Sequence, residues 1–417
     1  MVFGGSLYRL LCPTCGLRTI DDGSVTRCPA EHRPSLLRTE YDERSFRIDR
    51  SSEGMLRYRA WLPLREPIET PFGTVIIESA ALNARLRTPN LRLAVNGFWP
   101  ERGARLPSGT FKDIEAIAIL GRFPRDGRTL VAASAGNTAV ALASAASDVG
   151  VPTTIVVPES ALERIAFARP LRENVRFIAV TGDAIYDDAI VAAQELGLRD
   201  GYAFEGGARN VARRDGIGTT MLAFMEVCGA LPEYFVQAVG SGSGAIAAHE
   251  AARRAIASGQ FPPRYPHLVL VQNAPFAPIF HAWNARSTSV EAAHRPDSAH
   301  RAGAEISAAV LGSLAPPYEP DGGLLDALTE SAGDVTAVEN SAARRASALF
   351  EELEGIDLEP AAAVALAGLI ERIECGAIPR DASIALHITG VGRRRLAPER
   401  RITPKIAARI AADPSRR

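Results

Sequence analysis

From about residue 75 onward, short apolar runs alternate along the chain with polar turns and segments of helical spacing. Thr129–Ala133 is one such run, closed by Ser-Ala-Gly-Asn and followed by an alanine-rich helical stretch. GVPTTIVVPES is a second, bounded by prolines, and VRFIAVTGD a third, with a helix expected around Tyr186–Leu196. YFVQAVGSGSGAIAAHEAARRA reads as strand, glycine loop and helix, and SIALHITGVG as a late strand ending in a turn. Apolar strands alternating with helices predict a parallel α/β sheet covered on both faces. At 417 residues the chain is long for one core, so two or three lobes are expected. Before residue 75 the pattern is different. LLRTEYDERSFRIDR alternates loosely, as an edge strand or strap would, and a Pro/Gly-rich connection runs from Pro63 to Gly73. The His/Pro/Asp-rich piece Ser287–Arg301 reads as an exposed loop.

Composition narrows the function. A formal net charge of −1 argues against a general nucleic-acid surface. No apolar run approaches the roughly 18 residues of a membrane span, and MVFGGSLYRLLCPTCG lacks the features of an export signal. Five cysteines, three of them in the first 28 residues, do not make a disulfide framework and suit a reducing cytoplasm. Cys12, Cys15, Cys28 and His32 form C-x2-C-x12-C-x3-H, a spacing that can close a tetrahedral zinc site or leave a vestigial set of free thiols. This segment, residues 1–45, is expected to be zinc-ribbon-like, with residues 46–417 forming the catalytic region.

Of 47 basic residues only Lys112 and Lys405 are lysines. Lysine differs from arginine in offering an amine that can lose its proton and condense with a carbonyl. Lys112 precedes the apolar spacing Ile114, Ile117, Ala118, and Thr110-Phe-Lys-Asp113 matches a capping box, so the lysine is expected at a helix start. A cation there opposes the helix dipole, which favours the neutral amine. Gly240-Ser241-Gly242-Ser243-Gly244 lies between a strand and a helix, as a phosphate cradle or a ligand-free turn. Ser134-Ala-Gly136-Asn137-Thr138 occupies a similar place, where it can hold a carboxylate or simply cap the helix. Thr389 adds a hydroxyl at another strand end. An amine, a phosphate cradle and a carboxylate loop together match what pyridoxal phosphate and an amino acid need.

These motifs resemble the threonine synthase branch of the fold-type II pyridoxal-phosphate enzymes. SGTFKD is similar to that family's lysine motif, SAGNT to its asparagine loop, GSGSG to its phosphate loop and TGVG to its closing turn. RNVARRDGIGTTMLAFMEV and DLEPAAAVALAGL fall between them in family order, over residues 75–395. The front end, CPTCG with CPAEHRPSLLRTEY and LRYRAWLP, resembles the cysteate synthases within that branch. The resemblance implies two parallel-sheet lobes with the cofactor between them, the smaller at about residues 129–218. It implies Lys112 as the lysine that holds the cofactor as an internal aldimine and moves the Cα proton. Asn137 would meet the phenolic oxygen, Gly240, Ser241, Gly242, Ser243 and Gly244 the phosphate, and Thr389 the ring nitrogen. Ser134, Gly136 and Thr138 would hold the substrate carboxylate, and Arg213 the departing phosphate. The implied reaction is β-replacement through an aminoacrylate, with O-phosphoserine and sulfite as substrates, in a cytoplasmic homodimer. Threonine synthase chemistry on O-phosphohomoserine, or a related pyridoxal-phosphate-dependent β-replacement or elimination, is one alternative, and a catalytically silent binding protein of the same fold is the other.

Overall fold

A computed structural model describes residues 7–290 and 305–412. Part of the loop expected over residues 287–301, and the first six residues of the start read for an export signal, lie outside that range.

Each lobe is built on a parallel sheet. The larger has six strands in the order Asp334–Val338, His267–Asn273, Tyr234–Ala238, Ile384–Ile388, Leu91–Val95 and Val75–Ile77. All pairs in it are parallel except the last. Its strand sequences explain the two-sided cover. Val236, Val269, Val271, Leu386 and Ile388 enter the apolar cluster under the helices Asn340–Glu354 and Pro360–Glu374. Their neighbours Phe235, Leu268, Leu270 and Ala385 enter the cluster with Val211–Cys228 and Ser243–Ala257 on the other side. Successive residues point to opposite faces, so a strand buried on both reads as a continuous apolar run.

The smaller sheet is wholly parallel, in the order Tyr202–Phe204, Thr129–Ala133, Thr153–Pro158, Val175–Thr181 and Ile406–Ala411. Its last strand comes from beyond residue 400, outside the 129–218 span expected of a small lobe. Tyr186–Gly197 and Asn137–Val149 are its helices, the former one residue longer than the spacing suggested.

Helix Lys112–Arg122 packs between the lobes, against Val211–Cys228 and Asn137–Val149. It begins at Lys112 as expected, but the capping box does not form as written. Asp113 Oδ2 accepts from Ser108 N at 2.7 Å, and Thr110 Oγ1 faces Lys112 N at 3.4 Å. The turn Pro107–Gly109 reaches back far enough for Asp113 to tie down Ser108, two residues earlier than the motif would place the bond.

The N-terminal segment is a three-stranded antiparallel sheet in which Arg38–Tyr41 is an edge, pairing with Tyr8–Leu11. Buried polar ties dock it. Arg122 donates to both oxygens of Asp21, 2.7 Å each, and to Asn210 Oδ1 at 2.9 Å. Thr39 and Tyr41 both donate to Asp215 at 2.6 Å, and Arg214 donates to the carbonyl of Leu37.

Candidate active site

The loops that follow Thr129–Ala133, Tyr234–Ala238 and Ile384–Ile388 stand at the carboxyl ends of parallel strands, where open α/β sheets bind ligands. The turn after Ile388 runs beside the segment leading to Lys112. Phe111 N donates to Thr389 O at 3.0 Å and Val391 N to Gly109 O at 3.2 Å. Thr389 and Lys112 are therefore neighbours across a backbone pairing. Tyr234–Ala238 is bonded to Ile384–Leu386, so the glycine loop opens on the same edge.

Lys112 is partly buried. Its Nζ donates to Glu115 Oε2 at 2.7 Å and lies 4.4 Å from the centre of the Phe111 ring. Burial, helped by the charge of Arg213, pulls its amine below the ordinary lysine value, while Glu115 holds it up. In the glycine loop, Gly242 has φ of +77° and ends on the N-terminus of Ser243–Ala257. The Ser241 and Ser243 hydroxyls are 3.0 Å apart. A Cβ at Gly240 would come 2.9 Å from the Leu311 backbone, so a close approach requires glycine there.

Ser134 Oγ accepts from Ala139 N at 2.8 Å and Gly136 N at 3.3 Å, so its hydroxyl caps Asn137–Val149. A side chain at Gly136 would meet nothing within 4 Å, which sets this loop against open space. Asn137 and Thr138 are half-buried, and the Asn137 side chain faces Glu359. Glu359 is bonded through its N–H to Gly390 O at 3.0 Å, next to Thr389. The asparagine loop of one lobe thus meets the Thr389 turn of the other. Glu359 also accepts from Ala361 N at 2.9 Å, and burial raises its carboxyl above the usual range.

Thr389 Oγ1 is the observation that tests the site. It is buried and has no hydrogen-bond partner among the described residues. Such an orphan costs free energy unless a ligand satisfies it. A hydroxyl beside Lys112, a helix N-terminus behind the glycines and an open asparagine loop fit pyridoxal phosphate. His387, in the strand before Thr389, is buried, pairs with Asn96 Nδ2 at 2.9 Å and is pushed by burial to about 3. It is a core residue, as its sequence position suggests.

Arg213 lies in the first turn of Val211–Cys228, capped by Asn210. The resemblance offers it to a phosphate; in the structure it is already paired. Nε and Nη2 bond Glu205 at 3.0 and 2.7 Å, and Nη1 bonds Glu115. Burial opposes its charge, and the two carboxylates more than offset that. The sequence alone does not mark Glu115, Glu205 and Glu359 as site residues. Glu115 was the readable one, being three residues from Lys112 and so on the same helix face. Glu205 gave no signal, because it reaches Arg213 only through the tertiary fold.

Cys12, Cys15, Cys28 and His32 come together with their ligand atoms within 4.8 Å of one another. Cys12 Sγ is 3.3 Å from His32 Nε2, and Cys15 Sγ is 3.7 Å from Cys28 Sγ. His32 Nδ1 lies 2.6 Å from Arg33 O, a bond that turns Nε2 toward the Cys12 thiol. Burial works against the Cys12 thiolate, but Ser35 and the amides of Cys15 and Thr14 bring it to about 6. Three thiols and an imidazole at these distances can hold zinc.

Comparison with known proteins agrees with this geometry. Residues 81–390 match the family model described as pyridoxal-phosphate dependent enzyme. The chain is 44% identical over 399 residues to the cysteate synthase of Methanosphaerula palustris, covering 95% of this chain and 92% of that protein. It is 41% identical over 392 residues to the cysteate synthase of Methanocorpusculum labreanum, at 93% and 94% coverage. Among solved structures, maize serine racemase superimposes with a TM-score of 0.60 at 18% identity, over 77% of this chain and 88% of that one. A fungal L-serine ammonia-lyase from Rhizomucor miehei superimposes at 0.55 and 17%, over 78% of this chain and 96% of that one. These last two share the fold. The chain belongs to the fold-type II pyridoxal-phosphate-dependent enzymes, in the cysteate synthase family.

Proposed function

We propose that this enzyme makes L-cysteate and phosphate from O-phospho-L-serine and sulfite. The observation that carries the reading is the similarity to cysteate synthases along almost the whole chain. Pyridoxal phosphate supplies the electron sink that weakens the substrate's Cα–H bond. Lys112 binds it and moves the Cα proton on Nζ. The glycine loop at the N-terminus of Ser243–Ala257 receives the cofactor phosphate, where backbone N–H groups and the helix dipole favour an anion. Thr389 presents its orphan hydroxyl to the ring, and Asn137 an amide from the opposite lobe. Ser134, Gly136 and Thr138 offer the substrate carboxylate the start of Asn137–Val149. Glu115 and Glu205 leave part of the Arg213 donor fork for a further oxyanion, the phosphate that departs or the sulfite that replaces it. Zinc at Cys12, Cys15, Cys28 and His32 is a structural staple. The active form is a cytoplasmic homodimer.

The purified protein is expected to be yellow and to lose that absorbance in Lys112→Ala. Incubation with O-phosphoserine must release phosphate and form cysteate only when sulfite is present. Phosphate release from O-phosphohomoserine alone, with threonine formed, would overturn the substrate assignment.

A further inference from the structure

We propose that Glu115 is the positioning residue for Lys112, the carboxylate on which its amine rests as an ammonium whenever it is detached from the cofactor. The inference rests on reading Lys112 as the cofactor lysine. A carboxylate with a side chain 1% exposed is a poor choice at a helix position that alanine would fill without cost. Glu115 is gripped by two basic side chains. One oxygen takes Lys112 Nζ at 2.7 Å and the other takes Arg213 Nη1. The three-residue spacing on Lys112–Arg122 brings Glu115 under the amine without distortion. Arg213 cannot swing to Lys112's side of the carboxylate, because Glu205 grips it through two bonds. Glu115 is thereby fixed from behind and presents one oxygen to the lysine.

The charged surroundings of Nζ come from several elements. Glu115 is on the lysine's own helix, Arg213 on Val211–Cys228, and Glu205 follows the strand Tyr202–Phe204. Tyr186, which opens Tyr186–Gly197, borders the same three charged groups. Arg213 favours the neutral amine, and Glu115 and Glu205 favour the ammonium. Of the two carboxylates only Glu115 touches Nζ. When the amine takes the Cα proton it becomes a cation in a partly buried place, and Glu115 is the partner already waiting. No covalent bond to Glu115 forms or breaks; the proton stays on Nζ and the contact is a hydrogen bond.

Because the chain has only two lysines, the amine can be followed by itself. In a Lys405→Arg background, full-length protein freed of cofactor is acetylated over a range of pH and the Lys112 peptide is quantified by mass spectrometry. Glu115→Gln is expected to lower the inflection by about one to three pH units, the range for loss of an opposite charge in contact. Glu115→Asp must stay close to the parent, and Glu205→Gln must move the inflection less than Glu115→Gln. Glu115→Met repeats the measurement if the amide variant does not fold. An inflection unmoved by Glu115→Gln overturns the proposal, as does an equal shift in Glu205→Gln. Failure of the cofactor reading would show separately, as yellow absorbance surviving in Lys112→Ala.

Discussion

Asp113 follows the lysine in sequence and does the opposite job. Its side chain turns back to Ser108 N at 2.7 Å and is 5% exposed as a residue. Burial raises its carboxyl from 3.8 to about 7, against the Ser108 bonds and the charge of Arg400. The folded protein therefore keeps a proton that the unfolded chain gives up. Between those two values stability falls as pH rises, and above the upper one it falls no further. Asparagine keeps an acceptor for Ser108 N and has no proton to lose. Asp113→Asn is expected to match the parent at about pH 4 and to exceed it at about pH 8, by at most about 1.4 kcal/mol per unit crossed. Urea denaturation at the two pH values measures this, and an equal difference at both would show the carboxyl ionised in the folded state. The pair Lys112 and Asp113 also shows what is legible at this scale. Lys112 stood out because arginine serves almost everywhere else. The burial of Asp113 did not, since Asp in the first turn of a helix ordinarily reads as a solvated cap.

Secondary elements were most readable where burial is two-sided. Thr129–Ala133 and Ile384–Ile388 needed only their apolar runs and flanking turns to be found. Ile406–Ala411 was silent because most of its residues are exposed and its place is fixed by backbone pairing with Val175–Thr181. Helix crossings were equally hidden, and one of them sets the site. A methyl at Gly216 would stand 2.6 Å from Ala118 Cβ and 2.9 Å from Ile114 O, where Val211–Cys228 crosses Lys112–Arg122. Arg213 and Glu115 meet beside that crossing. Gly216→Ala should force the helices apart, at a cost of about 1 to 3 kcal/mol. Thermal melting should show the loss, and a spectroscopic titration should show weaker retention of pyridoxal phosphate. Ala118→Gly in the same chain should restore only part, because the Ile114 carbonyl is backbone and stays in the way. Full recovery would place the conflict at the side chain alone.

At the scale of the molecule, the question is whether the cysteine-rich N-terminal segment is an appendage. By itself it is poorly equipped to fold. Its own cluster is Leu10, Cys12 and Leu37 against Val211, and its strands have two to four residues. So small a core calls for a staple, which a metal held by the three thiols and His32 would supply as folding free energy. Yet its polar ties end on the elements of the site. Asp21 holds Arg122 at the last turn of the lysine helix, with side chains 2% and 1% exposed, and Arg122 in turn holds Asn210, the cap of the arginine helix. Leu37 O, Thr39 and Tyr41 bind Arg214 and Asp215 one turn further on. Removing one partner of a buried pair costs about 3 to 5 kcal/mol, so the body cannot release the segment without weakening itself. Stripping the metal with a chelator, or Cys15→Ser, is therefore expected to lower one cooperative melting transition of the whole chain and to loosen cofactor binding with it. Scanning calorimetry beside zinc analysis decides the matter. A small early transition with the main one unmoved would mean that the segment folds and unfolds alone, and that the Asp21–Arg122 pair transmits nothing between the metal and the lysine helix.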